Sequence, residues 1–333
     1  MPDTYLSQAV ETAAHAGAAY DTNAKYLLAD KQVLAWILKY AVTEFADMEI
    51  PAIINCIGNQ IEISTEPVDP GLSATGRAEM TATEDDVPGE GKIFYDIRFT
   101  AYLPEPEKER EIKFLVNLEA QKSTDPAKLG YHLENRIVFY LARMVSAQKQ
   151  TEFLHSKYDS LKRVRSIWIC MDSGEEGDSM QEIGLRRKTI YGKETGEEDP
   201  ELMKAVMIRI RSGTGLKESG HILIRMLETL FAESAPEKKK QLLQENYGMV
   251  MTVEMERRIR VMCNLSEAIF EEALKKGMEK GMEKERLSAI GRMIRASASK
   301  EQILTFGYTQ EEYAEAENIL QEKAGRVKNR YES

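Results

Sequence analysis

Residues 92–102, KIFYDIRFTAY, and residues 112–122, IKFLVNLEAQK, are two short apolar segments that each carry one acidic residue. Their apolar, aromatic and β-branched residues predict two strands, and the polar, proline-containing residues 103–110 predict a hairpin connection between them. A carboxylate inside a buried strand is costly unless something compensates its charge. If the strands pair, Asp96 and Glu119 meet, and their oxygens can bind a hard divalent cation. The pattern therefore indicates metal-assisted hydrolysis of a phosphodiester.

The composition predicts a globular protein with neither a membrane segment nor a disulfide framework. The chain has 333 residues, of which 42% are hydrophobic and 30% charged, enough for one large domain or for a core domain with an appendage. Its three cysteines are far apart and form no CxxC pair, so a zinc site is not indicated, and the reducing cytoplasm is the expected location. No apolar stretch approaches the roughly 20 residues that span a bilayer, and we expect no secretory signal.

The formal net charge of −10 argues against a protein that coats nucleic acid by bulk attraction, because phosphate binding draws on lysine and arginine. A local basic face is still compatible with this charge. Three clusters belong either to such a face or to ordinary solvated surface. They are Lys157 with Lys162, Arg163 and Arg165; Arg186 to Lys188; and Arg209 with Arg211.

The pattern along the chain alternates helices with strands and then becomes helical, which predicts an α/β domain with an α-helical C-terminal extension. We divide the chain into a leader at 1–20, a core domain at 21–215 and a helical region at 216–333. The predicted helices are 30–47, with Asp30 as N-cap, 126–150, 222–231, 238–246, 257–295, and two on either side of Gly307, the second with a Thr309–Glu312 capping box. Further strands are predicted at 59–64, 164–171, 181–190 and 205–210, and a long loop at 66–91.

Five segments, taken in order, resemble a known group of nucleases. They are residues 21–25 (DTNAK), 95–98 (YDIR), 118–122 (LEAQK), 136–140 (RIVFY) and the repeated Gly-Met-Glu-Lys at 277–284. Together they are similar to the PD-(D/E)XK nuclease superfamily, and more closely to its recombination-promoting nuclease or transposase branch. The likeness covers residues 20–330. It depends on the order and spacing of all five segments, because the acidic core motif is short.

The resemblance implies a restriction-endonuclease-like core, in which helices flank a mixed sheet, and the activity of a Mg²⁺-dependent DNA endonuclease of the mobile-element type. Asp96 and Glu119 would then be the metal ligands, with the backbone carbonyl of Ala120 beside the metal. Mn²⁺ is the alternative metal. Mg²⁺ prefers oxygen ligands and keeps several waters, which agrees with this set of ligands.

One position departs from the pattern of the superfamily, in which the third motif residue is usually lysine. Here it is Gln121. Side chains alternate across a strand, so Glu119 and Gln121 share a face while Lys122 points the other way and cannot replace the missing lysine. The amide of Gln121 can orient a water molecule by hydrogen bonds but supplies no positive charge. This puts the rate of catalysis in question, and not the metal site.

Two further pairs of residues are candidates for the edge of the site or for contact with DNA. Arg136 and Tyr140 lie four apart on one helical face, where they either reach a phosphate or only pack the helix. Asp21 and Lys25 are also four apart, and they form either a site edge or an ordinary ion pair. Glu62 is either a further metal ligand or a solvent-facing strand residue. Both tryptophans, Trp36 and Trp168, are expected in the core.

Three interpretations of function follow from these observations. The first is a metal-dependent nuclease whose partner is DNA. The second is a DNA- or protein-binding remnant that kept the fold and lost the chemistry, which Gln121 and the acidic net charge favour. The third makes the C-terminal helices an arm for homo-oligomerisation, which is compatible with either of the others. The long helix could equally fold back on its own domain.

Overall fold

The computed structural model describes residues 19–64, 84–87, 91–105, 110–121, 123–171, 177–193, 201–210, 219–232 and 234–331. Most of the predicted leader, most of the predicted loop at 66–91, Lys122 and Arg211 lie outside these residues. The described residues fall into two compact units, one that ends at Ser266 and one that begins at Glu267.

The helices are α1 (residues 19–28), α2 (Lys31–Ala41), α3 (Ile50–Cys56), α4 (Pro126–Leu129), α5 (Leu133–Ser146), α6 (Ile222–Phe231), α7 (Pro236–Tyr247), α8 (Val253–Arg295), α9 (Lys300–Thr305) and α10 (Gln310–Tyr331). The strands are β1 (Ile57–Ile63), β2 (Glu84–Val87), β3 (Gly91–Phe94), β4 (Ile97–Glu105), β5 (Arg110–Gln121), β6 (Arg163–Cys170), β7 (Ser179–Gly184) and β8 (Met203–Arg209). Short 3₁₀ turns lie at Thr43–Phe45 and Tyr158–Ser160. No helix in the described part of the chain is both long enough and apolar enough to cross a bilayer.

A mixed six-stranded sheet organises the first unit, which confirms the predicted α/β class with a mixed sheet flanked by helices. Its strand order is β1-β4-β5-β6-β8-β7. β4 and β5 form the predicted antiparallel hairpin, with Ile97 opposite Leu118, whereas β5, β6 and β8 are parallel neighbours. Parallel neighbours need a crossover connection, and α5 lies in the connection between β5 and β6.

Side chains alternate between the two faces of the sheet along each strand, and each face belongs to its own hydrophobic core. The larger core contains Phe99 and Leu118 from one face, together with residues of α1, α2, α3 and α6. It also includes Met255 of α8, so the first unit continues past the boundary that was predicted at residue 215. The smaller core joins Val164 and Trp168 of the other face to α5.

The first acidic segment is not one continuous strand, which corrects the prediction for residues 92–102. β3 ends at Phe94 and pairs with β2, a strand within the predicted loop, in a separate two-stranded sheet. β4 begins only at Ile97. The backbone carbonyl of Asp96 accepts a hydrogen bond from the Ser64 amide at 2.9 Å. The backbone amide of Asp96, in contrast, donates to the side chain of Glu119 on β5. The regular ladder between β4 and β5 therefore stops before Asp96.

Three other boundaries differ from the sequence pattern. Gly130 adopts φ +79°, which ends α4 and splits the predicted helix 126–150 into α4 and α5. β7 ends at Gly184, and residues 185–190 of the predicted strand are irregular. The hairpin connection predicted at 103–110 is shorter, because β4 continues to Glu105 and β5 starts at Arg110.

Two predicted helix caps are confirmed. The carboxylate of Asp30 accepts the amide of Gln32 at 2.8 Å and caps α2. In the second unit, the Glu312 amide donates to the Thr309 hydroxyl at 3.1 Å, and the Thr309 amide donates to the Glu312 carboxylate at 2.7 Å. Gly307 adopts φ +85° in the turn before this box. The end of α8, α9 and α10 close around a small core of Ile290, Ile303 and Ala316.

A buried ion pair fastens the 3₁₀ turn Thr43–Phe45 to the start of β6. Arg165 is 2% exposed and pairs with Glu44. Glu44 also accepts a hydrogen bond of 2.9 Å from Arg163. Two members of the first basic cluster are therefore held by a carboxylate of this chain.

Replacing Glu44 by alanine should lower the free energy of unfolding by about 3–5 kcal/mol, because the buried charge of Arg165 loses its partner. Glu254→Ala is the matched control. Glu254 also pairs with arginines, but its side chain is 60% exposed, so its removal should leave the unfolding midpoint unchanged. Urea unfolding at neutral pH measures both variants, and equal effects would contradict the role given to the buried pair.

Candidate metal centre

Asp96 and Glu119 lie opposite each other at the end of the β4–β5 hairpin and bond reciprocally. The amide of Asp96 donates to Glu119 Oε1 at 3.2 Å, and the amide of Ala120 donates to Asp96 Oδ2 at 2.9 Å. These bonds continue beyond the last ladder pair, Ile97 with Leu118. Both carboxylates are buried, with 5% and 3% exposure. The structure therefore brings the two predicted carboxylates together, although Asp96 precedes its strand.

Helix α1 places a buried cation on Asp96. Lys25 Nζ lies 2.8 Å from Asp96 Oδ1 and 3.1 Å from Asp21 Oδ2, and Lys25 is only 3% exposed. Asp21 and Lys25 are one helical turn apart, so both side chains lie on the same face of α1. Asp21 and Lys25 therefore form the ion pair that was one of the two interpretations, and this pair contacts Asp96. Its role as the edge of a site stays a prediction.

Helix α5 places a second cation beside Glu119. The Arg136 guanidinium is 3.9 Å from Glu119 Oε2. It donates to the hydroxyl of Tyr140 at 2.9 Å and to that of Tyr131 at 3.1 Å. It also lies over the rings of Tyr140 and Trp168, 4.9 and 5.3 Å from their centroids. Hydrogen bonds and ring contacts together fix the orientation of this charge.

Gln121 points to the same side of β5 as Glu119, as the alternation of side chains predicts. Its amide nitrogen donates to the carbonyl of Ser123 at 2.9 Å, and its Oε1 accepts from Arg136 at 3.5 Å. The third motif position is neutral, but α5 brings a positive charge into contact with it.

Burial and neighbouring charges shift the pKa values of three groups in and beside the carboxylate pair. Burial first, and then the charge of Asp96, raise the pKa of Glu119 well above its usual range, against the opposing effects of Arg136 and the Asp96 amide. Burial by itself would lower the pKa of Lys25, but the two carboxylates that it contacts outweigh burial, and the pKa is raised. Burial, followed by the charge of Glu119, raises the pKa of Tyr140 to about 12. Lys25 is therefore a cation, and Tyr140 a neutral hydroxyl, at neutral pH.

The donor atoms fit a hard divalent cation. Mg²⁺ is usually bound by one or two carboxylates and keeps several waters. The described residues contain no group of three or more His, Cys, Asp or Glu side chains that could hold a metal, so Asp96 and Glu119 would have to suffice, with the Ala120 carbonyl that the resemblance implies. Burial is the largest cause of the raised pKa of Glu119, and the charge of Asp96 is the next. A bound cation would oppose both effects by favouring the charged form of the carboxyl.

Glu62 lies in an open cleft on the side of the sheet that faces α5. The cleft has a volume of about 490 Å³, and its lining includes Glu62, Arg98, Leu115 and Met144. Arg98 is opposite Glu62 on β1 and lies two residues along the chain from Asp96. Neither Asp96 nor Glu119 is among the residues that line this cleft, so Glu62 is not brought into the carboxylate pair through it.

Three contributions to the site were not predicted. Asn117 is fully buried and donates to the hydroxyl of Ser166 at 3.2 Å, and its side-chain amide lowers the pKa of the nearby Glu119 carboxyl. Its position two residues before Glu119, on the same strand face, was the available signal. Tyr131 holds Arg136 from the turn before α5, where no local pattern marks it. Trp168 is buried as predicted, and it also contacts Arg136.

The other two basic clusters occupy different surroundings. Arg186, Arg187 and Lys188 are exposed in the irregular segment after β7. Arg209 is 14% exposed at the end of β8, where it lies 3.9 Å from Glu134. The exposed cluster thus remains a candidate for contact with nucleic acid.

Comparison of the chain with protein-family models, with curated proteins and with solved structures found no match. The resemblance to the PD-(D/E)XK superfamily therefore stays a prediction from the sequence, and the function has to be argued from the geometry of the carboxylate pair and its two cations.

Replacing Glu119 by glutamine should stabilise the protein at neutral pH. Folding raises the pKa of Glu119 above the ordinary 4.5. Between the ordinary pKa of the unfolded chain and the higher pKa of the folded chain, the folded chain binds more protons than the unfolded chain. Stability therefore falls as the pH rises through this window. Glutamine removes that loss. Glu119→Gln should therefore gain on the order of 1–2 kcal/mol at neutral pH, and gain nothing below about pH 4, where the carboxyl is protonated in both states.

Urea unfolding of the variant and the wild type at the two pH values measures this difference. Glu62→Gln, in the cleft and on another strand, is the matched control and should change stability by less than about 0.5 kcal/mol. A Glu119→Gln variant that is less stable than the wild type at neutral pH would mean that the attraction to Arg136 outweighs burial and repulsion by Asp96.

Proposed function

We propose that this chain is a divalent-metal-dependent DNA endonuclease of the PD-(D/E)XK type, from its recombination-promoting branch. The observation that carries the proposal is the buried, reciprocally bonded pair of Asp96 and Glu119, with Lys25 and Arg136 on either side. Burying two like charges together is costly. Groups whose pKa is strongly perturbed by burial and by a charged neighbour are concentrated at functional sites.

The position of the pair in the sheet supports an active site. In α/β sheets, ligands bind outside the carboxyl ends of the parallel strands. Glu119 is close to the carboxyl end of β5 and is in register with Trp168, close to the carboxyl end of β6.

Each residue has a definite role in this proposal. Asp96 and Glu119 hold the metal, with the carbonyl of Ala120 as a third oxygen. A bound Mg²⁺ or Mn²⁺ would lower the pKa of a water molecule and offset the charge of the phosphate. Gln121 orients the water by hydrogen bonds. Arg136, held by its aromatic neighbours, offers the phosphate a permanent positive charge.

The alternative is a remnant that binds DNA or protein without cleaving it. Gln121 favours this alternative, because its amide cannot supply the charge of the usual lysine. The contact between Arg136 and Gln121 Oε1 favours the nuclease, because it brings positive charge to the same position. The two candidates differ in what they predict for metal-dependent cleavage.

Cleavage of supercoiled plasmid tests the nuclease. The wild type should nick plasmid with Mg²⁺ or Mn²⁺ and stop when EDTA removes the metal. Asp96→Asn and Glu119→Gln each remove the charge of one ligand, and each should lower the rate by about 100-fold or more. Agarose gels that follow the supercoiled and nicked forms over time measure these rates.

Asp125→Asn is the matched control for those variants. The Asp125 carboxylate caps α4, close in sequence to the site, and asparagine is an equally good cap. Cleavage by this variant should be unchanged. If folded wild-type protein cleaves with neither metal, the nuclease proposal is wrong and the binding remnant is favoured.

Self-association through the C-terminal helices is a further part of the proposal. Met278 and Met282 lie four apart on α8 and are 62% and 65% exposed. A Cβ added at Gly281 would meet nothing within 4 Å. An apolar pair beside a glycine on a helix is suited to the close approach of a partner helix.

Removing residues 267–333 should therefore reduce the mass in solution to that of a monomer and leave Mn²⁺ binding unchanged. The cut follows Ser266, where the first compact unit ends, because Met255, Ile259 and Met262 of α8 are buried in its core. Light scattering measures the mass, and a full-length chain that is already monomeric would contradict the proposal.

A further inference from the structure

Lys25 occupies the oxygen of Asp96 that the backbone leaves open. Asp96 Oδ2 accepts the amide of Ala120 at 2.9 Å, and Lys25 Nζ lies 2.8 Å from Oδ1. Any cation that Asp96 is to hold through Oδ1 would come within contact distance of this ammonium group. The metal and Lys25 therefore compete for one atom.

Asp21 gives the ammonium group a second partner. A divalent cation and an ammonium a few ångströms apart repel strongly, because a buried site screens charge poorly. Asp21 Oδ2 is 3.1 Å from Lys25 Nζ, and its side chain is 24% exposed while that of Asp96 is 7% exposed. A small rotation of the lysine side chain toward Asp21 separates it from Asp96 and leaves it with a counter-ion.

We propose that Lys25 is a built-in counter-ion, which neutralises Asp96 in the metal-free protein and is displaced onto Asp21 when a divalent cation binds. The inference rests on the metal site of the proposed function. It explains how two buried carboxylates fold together before a metal arrives, since an unpaired buried charge would be strongly destabilising. The free energy of metal binding is then the free energy gained from the metal–oxygen contacts minus the free energy needed to displace Lys25 from Asp96.

Calorimetric titration of the full-length protein with Mn²⁺ tests the competition. Lys25→Met removes the competitor and keeps an unbranched apolar side chain, so the Mn²⁺ affinity should rise by about tenfold. Asp21→Asn removes the second partner of the ammonium, so the affinity should fall. Arg136→Met is the matched control: it removes a cation that lies 3.9 Å from Glu119 and does not occupy a ligand oxygen at contact distance. Its effect should be clearly smaller than that of Lys25→Met.

Lysine acylation, read by mass spectrometry, follows the displacement directly in the wild type. Lys25 is 3% exposed and should be protected from an amine-reactive ester in EDTA. Its labelling should increase several-fold when Mn²⁺ saturates the protein, because Nζ moves toward the more exposed Asp21. Lys239, 1% exposed and bonded to the carbonyl of Leu230, is the internal reference and should stay protected with and without metal.

The outcomes separate this inference from the proposed function. If Mn²⁺ binds, but Lys25→Met and Arg136→Met change its affinity equally or the labelling of Lys25 does not respond to metal, the displacement is wrong and the metal site stands. If neither the wild type nor Lys25→Met binds Mn²⁺, both are wrong. Should Lys25→Met fail to fold, Asp21→Asn and the labelling of the wild type decide the question.

Discussion

Two carboxylates that repel each other at a buried end of the sheet impose the constraint on which the rest of the site depends. Pairing β4 with β5 brings Asp96 and Glu119 close enough to bond to each other's backbone. This arrangement is costly unless positive charge arrives from elsewhere. Lys25 comes from α1 and Arg136 from α5, so the site is complete only when both helices have packed on the sheet. Folding of the core and assembly of the site are therefore one process.

The same two helices supply the apolar contacts of the core and the charges of the site. In α1, Ala24 and Leu28 are buried on either side of Lys25 in the sequence, so apolar packing fixes the position of the buried ammonium. In α5, Ile137 and Leu141 pack in the smaller core next to Arg136. One helix can supply both kinds of contact because neighbouring residues lie on adjacent faces, so that an apolar residue enters the core while the next residue faces the carboxylates. A change in the packing of either helix would alter the electrostatics of the carboxylate pair.

Much of this arrangement could be predicted from local patterns, and the rest depends on contacts between distant residues. The hairpin, the Asp30 cap and the pairing of Asp96 with Glu119 follow from side-chain alternation and capping. The interruption of the strand at Asp96 could not be predicted in this way, because residues 92–102 contain no glycine or proline. The ladder ends there because the amide of Asp96 bonds to the side chain of Glu119, 23 positions away. For the same reason the change to a helical pattern near residue 215 does not mark the end of the first unit, whose core includes Met255.

The neutral residue at the third motif position has a different meaning in the sequence and in the structure. As a motif, Glu-x-Gln lacks the charge that a lysine would bring, and Gln121 then indicates a weakened enzyme. In the folded chain, two cations reach the carboxylates from the helices, and Arg136 contacts Gln121 itself. The pKa of Glu119 is nevertheless raised, chiefly because the carboxyl is buried and then because the charge of Asp96 lies beside it. A divalent cation bound at the pair would favour the charged form of Glu119, whichever residue stands at position 121.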